Sequence, residues 1–291
     1  MKALTVDQNE LICRLIMTAG QQARRLGRQT FEIYEKGVED YVTSVDQMLD
    51  RQLSAGIAEL FPYDGIITEE NENSRREFHN AWQRLWLIDP IDGTAEFINQ
   101  GDGYAVMVGV LENYQPQAGW VYAPARDCLY WGGPDWGLFW AQNDSKPQPL
   151  RVQCPPPPSD HYCPILLGHR DQRRFGAAIA AHLPMAQCYS LGSFGLKVLE
   201  VIQGKAGLYL YLNRRVKLWD TTGPIALALA AGLVCCDLEG FPLSFSPAAV
   251  EGDTLIHQQT VLIGWPHYVE KLLPLIRQSV NDLLLNQSLI H

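Results

Sequence analysis

The sequence predicts an α/β fold in which a lobe built on an antiparallel sheet precedes an α/β lobe. Short strand candidates separated by turn residues fill positions 85–141, and this spacing is typical of an antiparallel meander. Prolines then concentrate in positions 144–160, and such a stiff, extended segment is typical of a boundary between lobes. Helices and strands alternate beyond it, which favours an α/β lobe. We therefore expect an N-terminal α+β lobe at residues 1–150 and a C-terminal lobe at 151–291.

Helix signals open the first lobe. A capping box at Thr5 and Gln8 begins one helix, and Thr43 with Asp46 begins a second. Apolar residues after each signal recur at helical spacing. The elements predicted for this lobe are helices to about residue 27 and at 43–60, a loop at 71–80, and strands at 65–68, 85–88, 103–111, 117–123, 128–132 and 137–141.

In the second lobe, segments with the residue pattern of a helix alternate with segments that have the pattern of a strand. Its adjacent cysteines, Cys235 and Cys236, are predicted to belong to a core strand rather than to redox chemistry, because the seven cysteines are scattered without a Cys-x-x-Cys pair. The elements predicted for this lobe are strands at 164–168, 187–191, 207–212, 233–238 and 260–264 and helices at 171–182, 194–203, 221–231 and 267–286.

Charge and composition restrict the classes of partner. The net charge of −9 and the pI near 5.2 exclude a generalised basic surface for a nucleic acid polymer. A small anion can still bind an acidic protein if cations line its pocket. The chain has no run of 18 apolar residues and its start lacks the apolar core of a signal peptide. We expect a cytoplasmic protein with no membrane partner.

The most informative motif occupies positions 88–94, which are Ile-Asp-Pro-Ile-Asp-Gly-Thr. Asp89 and Asp92 lie three residues apart in a turn that Pro90 stiffens and Gly93 allows to bend sharply. Like charges held this close are unfavourable unless a cation lies between them, and carboxylate and carbonyl oxygens are ligands that Mg²⁺ prefers. The alternative is a plain Asx turn at the end of a strand, which does not account for both aspartates and the threonine.

Three further acids lie at the predicted ends of elements. Glu69 follows a strand and precedes Asp89 by 20 residues, although Glu69 and Glu70 could also be solvated loop charges. Asp220 begins an apolar helix, and Asp46 lies in the first turn of another. Each of these two has a simple alternative as a capping residue or a favourable charge at a helix N-terminus.

Together these motifs resemble the phosphatase superfamily of inositol monophosphatase, fructose-1,6-bisphosphatase and 3′(2′),5′-bisphosphate nucleotidase. The resemblance covers nearly the whole chain. It implies a layered αβαβα sandwich of the sugar-phosphatase type and a small phosphorylated substrate, with the protein a monomer or a homodimer. The matching segments are Lys36, 40–46, 69–70, 89–94, 119–124, 192–193 and 219–220.

The resemblance also implies the role of each site residue. Glu69, Asp89, Asp92 and the Ile91 carbonyl would hold a first Mg²⁺, and Asp220 would join the two aspartates at a second, with two or three ions in all and inhibition by Li⁺. Thr94 and Asp46 would position and activate the attacking water, with Glu69 also taking part in catalysis. The phosphate would lie near the Gly93 and Thr94 amides, and Asp220 would contact the substrate.

Substrate identity is expected to depend on the second lobe. Segments 204–211 and 217–221 resemble bisphosphate nucleotidases. Inositol monophosphatases usually carry a glutamate where this chain has Tyr211, and some nucleotidases carry an arginine there; a tyrosine could pack against an adenine ring. The resemblance places the nucleoside and its second phosphate near His169, Arg170, Ser193 and Lys197. A surface salt bridge for Arg170 and an exposed helical position for Lys197 are the alternatives.

The sequence therefore predicts a Mg²⁺-dependent phosphatase that converts 3′-phosphoadenosine 5′-phosphate to AMP and phosphate. One alternative within the same class is a phosphatase of inositol 1-phosphate or fructose 1,6-bisphosphate. An alternative of another class is a catalytically silent, metal-binding regulatory protein on the same fold.

Overall fold

Two β-sheets organise the chain, and helices cover their faces. The computed structural model describes residues 4–37, 40–80, 82–143 and 145–288. In order, the helices and strands of the first half are α1 (Val6–Leu26), β1 (Ile33–Gly37), β2 (Asp40–Thr43), α2 (Ser44–Leu60), β3 (Gly65–Thr68), β4 (Arg84–Asp92), α3 (Thr94–Ile98), β5 (Ala105–Glu112), β6 (Gln115–Ala123), β7 (Cys128–Gly133), β8 (Gly137–Gln142) and β9 (Gln148–Pro149).

The first sheet contains seven strands in the order β3-β4-β5-β6-β7-β8-β9. From β4 onward each strand is antiparallel to the next, which confirms the predicted meander, and β3 adds to β4 in parallel. The loop prediction for residues 71–80 is wrong, because Glu72–His79 forms a 3₁₀ helix that buries Ser74 and Phe78. The β1–β2 hairpin and the short helix α3 were not predicted.

The second half alternates helices and strands as predicted. Its five-stranded sheet has the order β11-β10-β12-β14-β13, with β10 parallel to both neighbours and β14 antiparallel to β12 and β13. The elements are β10 (Pro164–Leu167), α4 (His169–His182), β11 (Gln187–Tyr189), α5 (Phe194–Ile202), β12 (Leu208–Tyr211), α6 (Leu218–Ala230), β13 (Val234–Cys236), β14 (Val261–Gly264) and α7 (Pro266–Ser288).

Strand β5 has side chains in the cores on both faces of the first sheet. Val106, Val108 and Val110 belong to the core shared with α1 and α2, whereas Met107 and Leu111 belong to the core shared with α5 and α6. Side chains of a strand point alternately to its two faces, so this strand is buried on both. The helices α4 and α7 pack on each other beyond the second sheet. The layers α1/α2, first sheet, α5/α6, second sheet and α4/α7 form the expected αβαβα sandwich.

Helix α6 reaches the first sheet by direct backbone contact. It crosses β5 and β6 where Gly109 and Gly119 face Gly223 of the helix. A Cβ atom on Gly119 would overlap the Gly223 carbonyl group, and a Cβ on Gly223 would lie 2.7 Å from the Val108 carbonyl oxygen. The absence of side chains at this crossing therefore sets the distance between α6 and the first sheet. It also sets the position of Asp220 in the first turn of α6.

We expect Gly119→Ala to lower the free energy of unfolding by about 2 kcal/mol or more, as overpacking of a core does, and to reduce activity because α6 must shift. Gly252→Ala is the control, since a Cβ there would meet only His79 at 3.8 Å. Chemical denaturation and phosphate release measure the two effects. Equal stability of the two variants would contradict the proposed contact.

Candidate active site

Acidic side chains from separate elements converge where β3 and β4 end. Glu69 directly follows β3, Asp89 lies near the end of β4, and Asp220 lies in the first turn of α6. One carboxylate oxygen from each of these three residues lies within 4.8 Å of the other two. The structure thus brings together acids that are widely separated in the sequence.

The turn between β4 and α3 is held rigidly. The pairing of β4 with β5 is regular up to Asp89, shifts register, and resumes at Asp92. Gly93 has a φ of 92°, a left-handed conformation that glycine adopts without strain. A Cβ at Gly93 would also lie 3.0 Å from the Gly103 carbonyl oxygen and 3.2 Å from the Ser193 amide nitrogen. The glycine therefore allows the turn to pack against the start of α5.

Asp92 is anchored by the N-terminus of α5. Its Oδ2 atom accepts hydrogen bonds from the Ser193 hydroxyl group and, at 3.0 Å, from the Gly195 amide. Ser193 is also the N-cap of α5, since its hydroxyl oxygen accepts from the Leu196 amide at 3.1 Å. Sequence analysis assigned Ser193 to the substrate; the structure adds a role in orienting Asp92, which no local sequence signal indicated.

Asp46 and Thr94 form a pair beside the acidic cluster. The Thr94 hydroxyl group lies 3.3 Å from Asp46 Oδ1 and 3.1 Å from the Ile91 carbonyl oxygen, and can donate to either. Asp46 Oδ2 accepts from the Thr43 amide at 2.9 Å, which completes the capping box of α2. Burial raises the pKa of Asp46 to about 6, although the hydrogen bonds from Thr43 lower it.

Two lysines from different parts of the chain flank Glu69. The Nζ atoms of Lys36 on β1 and Lys217 before α6 lie 3.8 Å and 3.9 Å from Glu69 Oε1. Lys36 also lies 2.7 Å from Glu70 Oε1. Burial and the charge of Glu69 raise the pKa of Glu70 to about 7. Glu70 is therefore not a solvated loop charge, because its side chain is 6% exposed and paired with Lys36.

The central carboxyl groups hold protons more tightly than free aspartates do. Burial, followed by the charge of Glu69, raises the pKa of Asp89 well above its ordinary value and that of Asp220 to about 8. Burial raises the pKa of Asp92 to about 6, even though the Ser193 hydroxyl group lowers it. Desolvation and like-charge repulsion act in the same direction on acids, so this cluster is poorly satisfied by the protein alone.

The donor set fits a hard divalent cation. Asp89 is 1% exposed, and its Oδ1 atom is buried without a hydrogen-bond partner in the described part of the chain. An unpartnered carboxylate oxygen among other carboxylates has the chemistry of a Mg²⁺ ligand. Glu69, Asp89 and Asp220 would hold such an ion, and Asp92 lies beside them.

A cavity of about 770 Å³ is lined both by the acidic cluster and by a set of cationic side chains. Its volume lies in the range of small-molecule sites. The predicted substrate residues His169, Arg170, Lys197 and Tyr211 all border it. Three further cations border the cavity that sequence analysis did not assign to a site, because tertiary packing brings them there: Arg173, Arg215 and Lys217.

Three predicted substrate residues have surroundings that the sequence did not indicate. His169 and Arg170 form the start of α4, which begins two residues before the predicted helix. Lys197 is 5% exposed, so its alternative as an exposed helical residue is wrong. Its Nζ atom donates to the Gly192 carbonyl oxygen at 3.0 Å and lies over the Tyr209 ring.

Known proteins resemble this chain along most of its length. The model of the inositol monophosphatase family matches residues 7–280. A 3′(2′),5′-bisphosphate nucleotidase of Salmonella typhimurium is 30% identical over 240 residues, which cover 82% of this chain and 94% of that protein. An inositol-1-monophosphatase of Bacillus subtilis is 26% identical over 255 residues, which cover 86% of this chain and 93% of that protein.

A solved structure shows the same fold. An IMPase of Thermotoga maritima superposes with a TM-score of 0.77 at 20% identity, covering 96% of this chain and all of that one (100%). The sandwich, the carboxylate cluster and the curated relatives together define a phosphatase, a hydrolase of phosphate esters. The chain belongs to the inositol monophosphatase family.

The raised pKa values predict how the stability of the metal-free protein changes with pH. Asp46 and Asp92, with pKa values of about 6, and Asp220, of about 8, bind protons more tightly in the folded chain than in the unfolded one. The free energy of unfolding therefore falls as pH rises. For Asp220 alone we expect a loss of about 2 kcal/mol between about pH 6 and 8, at roughly 1.4 kcal/mol per unit.

Thermal melts in EDTA and in excess Mg²⁺, each at about pH 6 and 8, measure this effect. We expect Mg²⁺ to raise the melting temperature more at the higher pH, where more of the carboxyl groups are ionised and the cation competes with fewer protons. Asp220→Asn should flatten the pH dependence of the metal-free melts. A metal-free protein that becomes more stable as pH rises over this range would contradict the prediction.

Proposed function

We propose that the protein is a Mg²⁺-dependent phosphatase that removes the 3′-phosphate of 3′-phosphoadenosine 5′-phosphate, giving AMP and phosphate. The observation that carries this proposal is that one cavity is lined by both a carboxylate cluster and several arginines. A cluster of this kind suits a phosphoryl group bridged by metal ions, and the arginines suit a second anionic group.

The metal roles inferred from sequence remain part of the proposal. Glu69, Asp89, Asp92 and the Ile91 carbonyl group would hold one Mg²⁺, and Asp220 with the two aspartates would hold another. Bound Mg²⁺ lowers the pKa of water and stabilises charge on the phosphoryl and leaving oxygens. Inhibition by Li⁺ belongs to the same proposal, and titrations of phosphate release with LiCl and NaCl test it.

The protein's own groups would position the reactants. Thr94 and Asp46 lie close enough to share a proton, and Asp46 Oδ1 is the acceptor for it. A carboxyl group with a pKa of about 6 can accept a proton near neutral pH, which suits a general base acting on the attacking water. The Gly93 and Thr94 amides, at the start of α3, would face the phosphoryl oxygens.

The cationic side chains that line the cavity support a bisphosphate as substrate. Arg170, Arg173 and Arg215 border the same cavity as the acidic cluster, and guanidinium groups recognise phosphate through paired hydrogen bonds. His169 and Tyr211 border it too, and the partly buried Tyr211 offers an aromatic face to a base. The Salmonella relative is named for this class of substrate.

Inositol 1-phosphate is the second candidate substrate. The Bacillus relative is an inositol-1-monophosphatase, but Tyr211 offers one hydroxyl group where a carboxylate would bind sugar hydroxyls. A fructose 1,6-bisphosphatase activity shares the metal site and has no specific feature in its favour. The described residues contain no helix long and apolar enough to cross a bilayer. Location in the cytoplasm, the lack of a nucleic acid partner, and a monomeric or homodimeric state stay predictions.

Asp92→Asn should abolish most of the activity while the fold persists, because the amide keeps the acceptor for Gly195 and removes the charge. We expect kcat to fall by roughly 100-fold or more, as for loss of a group that supports a metal site. Asp135→Asn, at an exposed position, is the control. Mg²⁺-dependent phosphate release at a normal rate by Asp92→Asn would refute the assignment of the acidic cluster.

The substrate is tested with a matched pair, 3′-phosphoadenosine 5′-phosphate and adenosine 3′-phosphate, which differ only in the second phosphate. We expect the unaltered enzyme to prefer the bisphosphate, and to prefer it over inositol 1-phosphate. Arg170→Ala should lower kcat/KM for the bisphosphate by about tenfold or more, since a charge-assisted hydrogen bond contributes about 1.5–3 kcal/mol. The monophosphate should be affected less.

Arg174→Ala is the control for that substitution, because Arg174 lies on the same helix and packs over the Phe175 ring. A preference of the unaltered enzyme for inositol 1-phosphate would reject the nucleotidase proposal. Equal losses for both adenosine substrates in Arg170→Ala would instead reject only the place of the second phosphate.

A further inference from the structure

Two buried polar side chains, Thr68 and Asp50, contact the segment 68–71, which we call the Glu69–Glu70 corner. The proposed reaction uses neither of them. Thr68 ends β3 and is 1% exposed; Asp50 lies in α2 and is 4% exposed. The Thr68 hydroxyl group donates to Asp50 Oδ2 at 3.0 Å. A buried hydrogen bond to a carboxylate is among the stronger ones in proteins, so this contact constrains both elements.

The same pair also holds the backbone on both sides of Glu69. The Asn71 amide donates to Thr68 Oγ1 at 3.2 Å. Burial raises the pKa of Asp50, and hydrogen bonds from Thr68 and from the Glu70 amide lower it. Residues 68, 70 and 71 are thereby tied to α2 or to one another, which leaves the intervening Glu69 little freedom to move.

Helix α2 connects this corner to the other half of the site. Asp46 and Asp50 lie one helical turn apart, a spacing that places both side chains on one face. Asp46 reaches Thr94, whereas Asp50 reaches Thr68. One rigid helix therefore fixes the distance between the group that would accept the proton and the carboxylate that would bind the cation.

We propose that Asp50 and Thr68 are positioning residues that hold the Glu69 carboxylate in the orientation required for binding a divalent cation. Without the Thr68 hydroxyl group the Glu69–Glu70 corner becomes more mobile. The free energy needed to order the Glu69 carboxylate again then opposes metal binding. Partners that orient metal ligands commonly affect metal affinity by about 10–100-fold. The proposal depends on the metal role of Glu69 but is independent of the substrate.

The test is a titration of the substrate-free protein with Mn²⁺, in which calorimetry measures the dissociation constant. Thr68→Val keeps the shape of the side chain and removes the hydroxyl group, and we expect a dissociation constant raised about tenfold or more. Thr68→Ser keeps the hydroxyl group and should restore nearly all of the affinity. Thr260→Val is the control, because Thr260 is also buried and accepts a hydrogen bond from the Leu238 amide at 3.1 Å, away from the site.

Kinetics separate positioning from loss of stability. In Thr68→Val the Mg²⁺ concentration for half-maximal rate should rise, while KM for 3′-phosphoadenosine 5′-phosphate at saturating Mg²⁺ stays unchanged. Adding Asp50→Asn to Thr68→Val should weaken Mn²⁺ binding less than the sum of the single effects, since the two residues act as one unit.

Unchanged Mn²⁺ affinity in Thr68→Val, with a loss of stability like that of Thr260→Val, would overturn the proposal. If Thr68→Val does not fold, Asp50→Asn decides by the same two measurements, and retained affinity again overturns it. Failure of the bisphosphate to act as substrate would leave the Mn²⁺ result intact. An unaltered protein that binds no Mn²⁺ would overturn the metal site and this proposal together.

Discussion

Repulsion among buried carboxylates is the constraint on which the rest of the structure depends. Oxygens of Glu69, Asp89 and Asp220 lie within 4.8 Å of one another, an arrangement that is unfavourable in a medium of low polarity. The protein offsets part of this repulsion with protons, with lysines beside Glu69, and with hydrogen bonds to Asp92. The repulsion that remains would favour the binding of a cation at the proposed metal site.

The fold assembles this site from element ends. Parallel pairing of β3 and β4 brings Glu69 beside Asp89, and the glycine crossing under α6 lets Asp220 approach from the other side of the sheet. Helix α2 adds Asp46 from the opposite face. The set draws on both halves of the chain, so a small shift of α6 or α2 would change the distances among the carboxylates that are proposed to bind the metal.

Local signals explain which parts of the site the sequence predicted. The turn at 89–94, the helix start at Asp220 and the strand end before Glu69 each have a short motif, and their spacing resembled one family. The contact between Ser193 and Asp92 joins residues 101 positions apart, and the pairing of Lys217 with Glu69 joins residues that are still more distant in the chain. Such contacts follow from tertiary packing and leave no periodic pattern to detect.

The secondary-structure errors have similar physical reasons. The segment 72–79 is polar, with Phe78 as its main buried anchor, so its composition is that of a loop although its backbone is helical. The strand β1 is exposed along its whole length and therefore lacks the alternation of apolar and polar residues that identifies a strand. Burial of Phe78 favours the helical conformation of 72–79, and pairing with β2 favours the extended conformation of β1.

The two lysines beside Glu69 have a consequence for how the metal is taken up. Structural metal sites often have no stable form without the ion, so that loading and folding are one event. Here the ammonium groups of Lys36 on β1 and of Lys217 before α6 lie 3.8 Å and 3.9 Å from Glu69 Oε1. They are covalently attached counter-ions, so a divalent cation at the proposed site would share the Glu69 carboxylate with them. Uptake and release of that cation would then not require the chain to unfold.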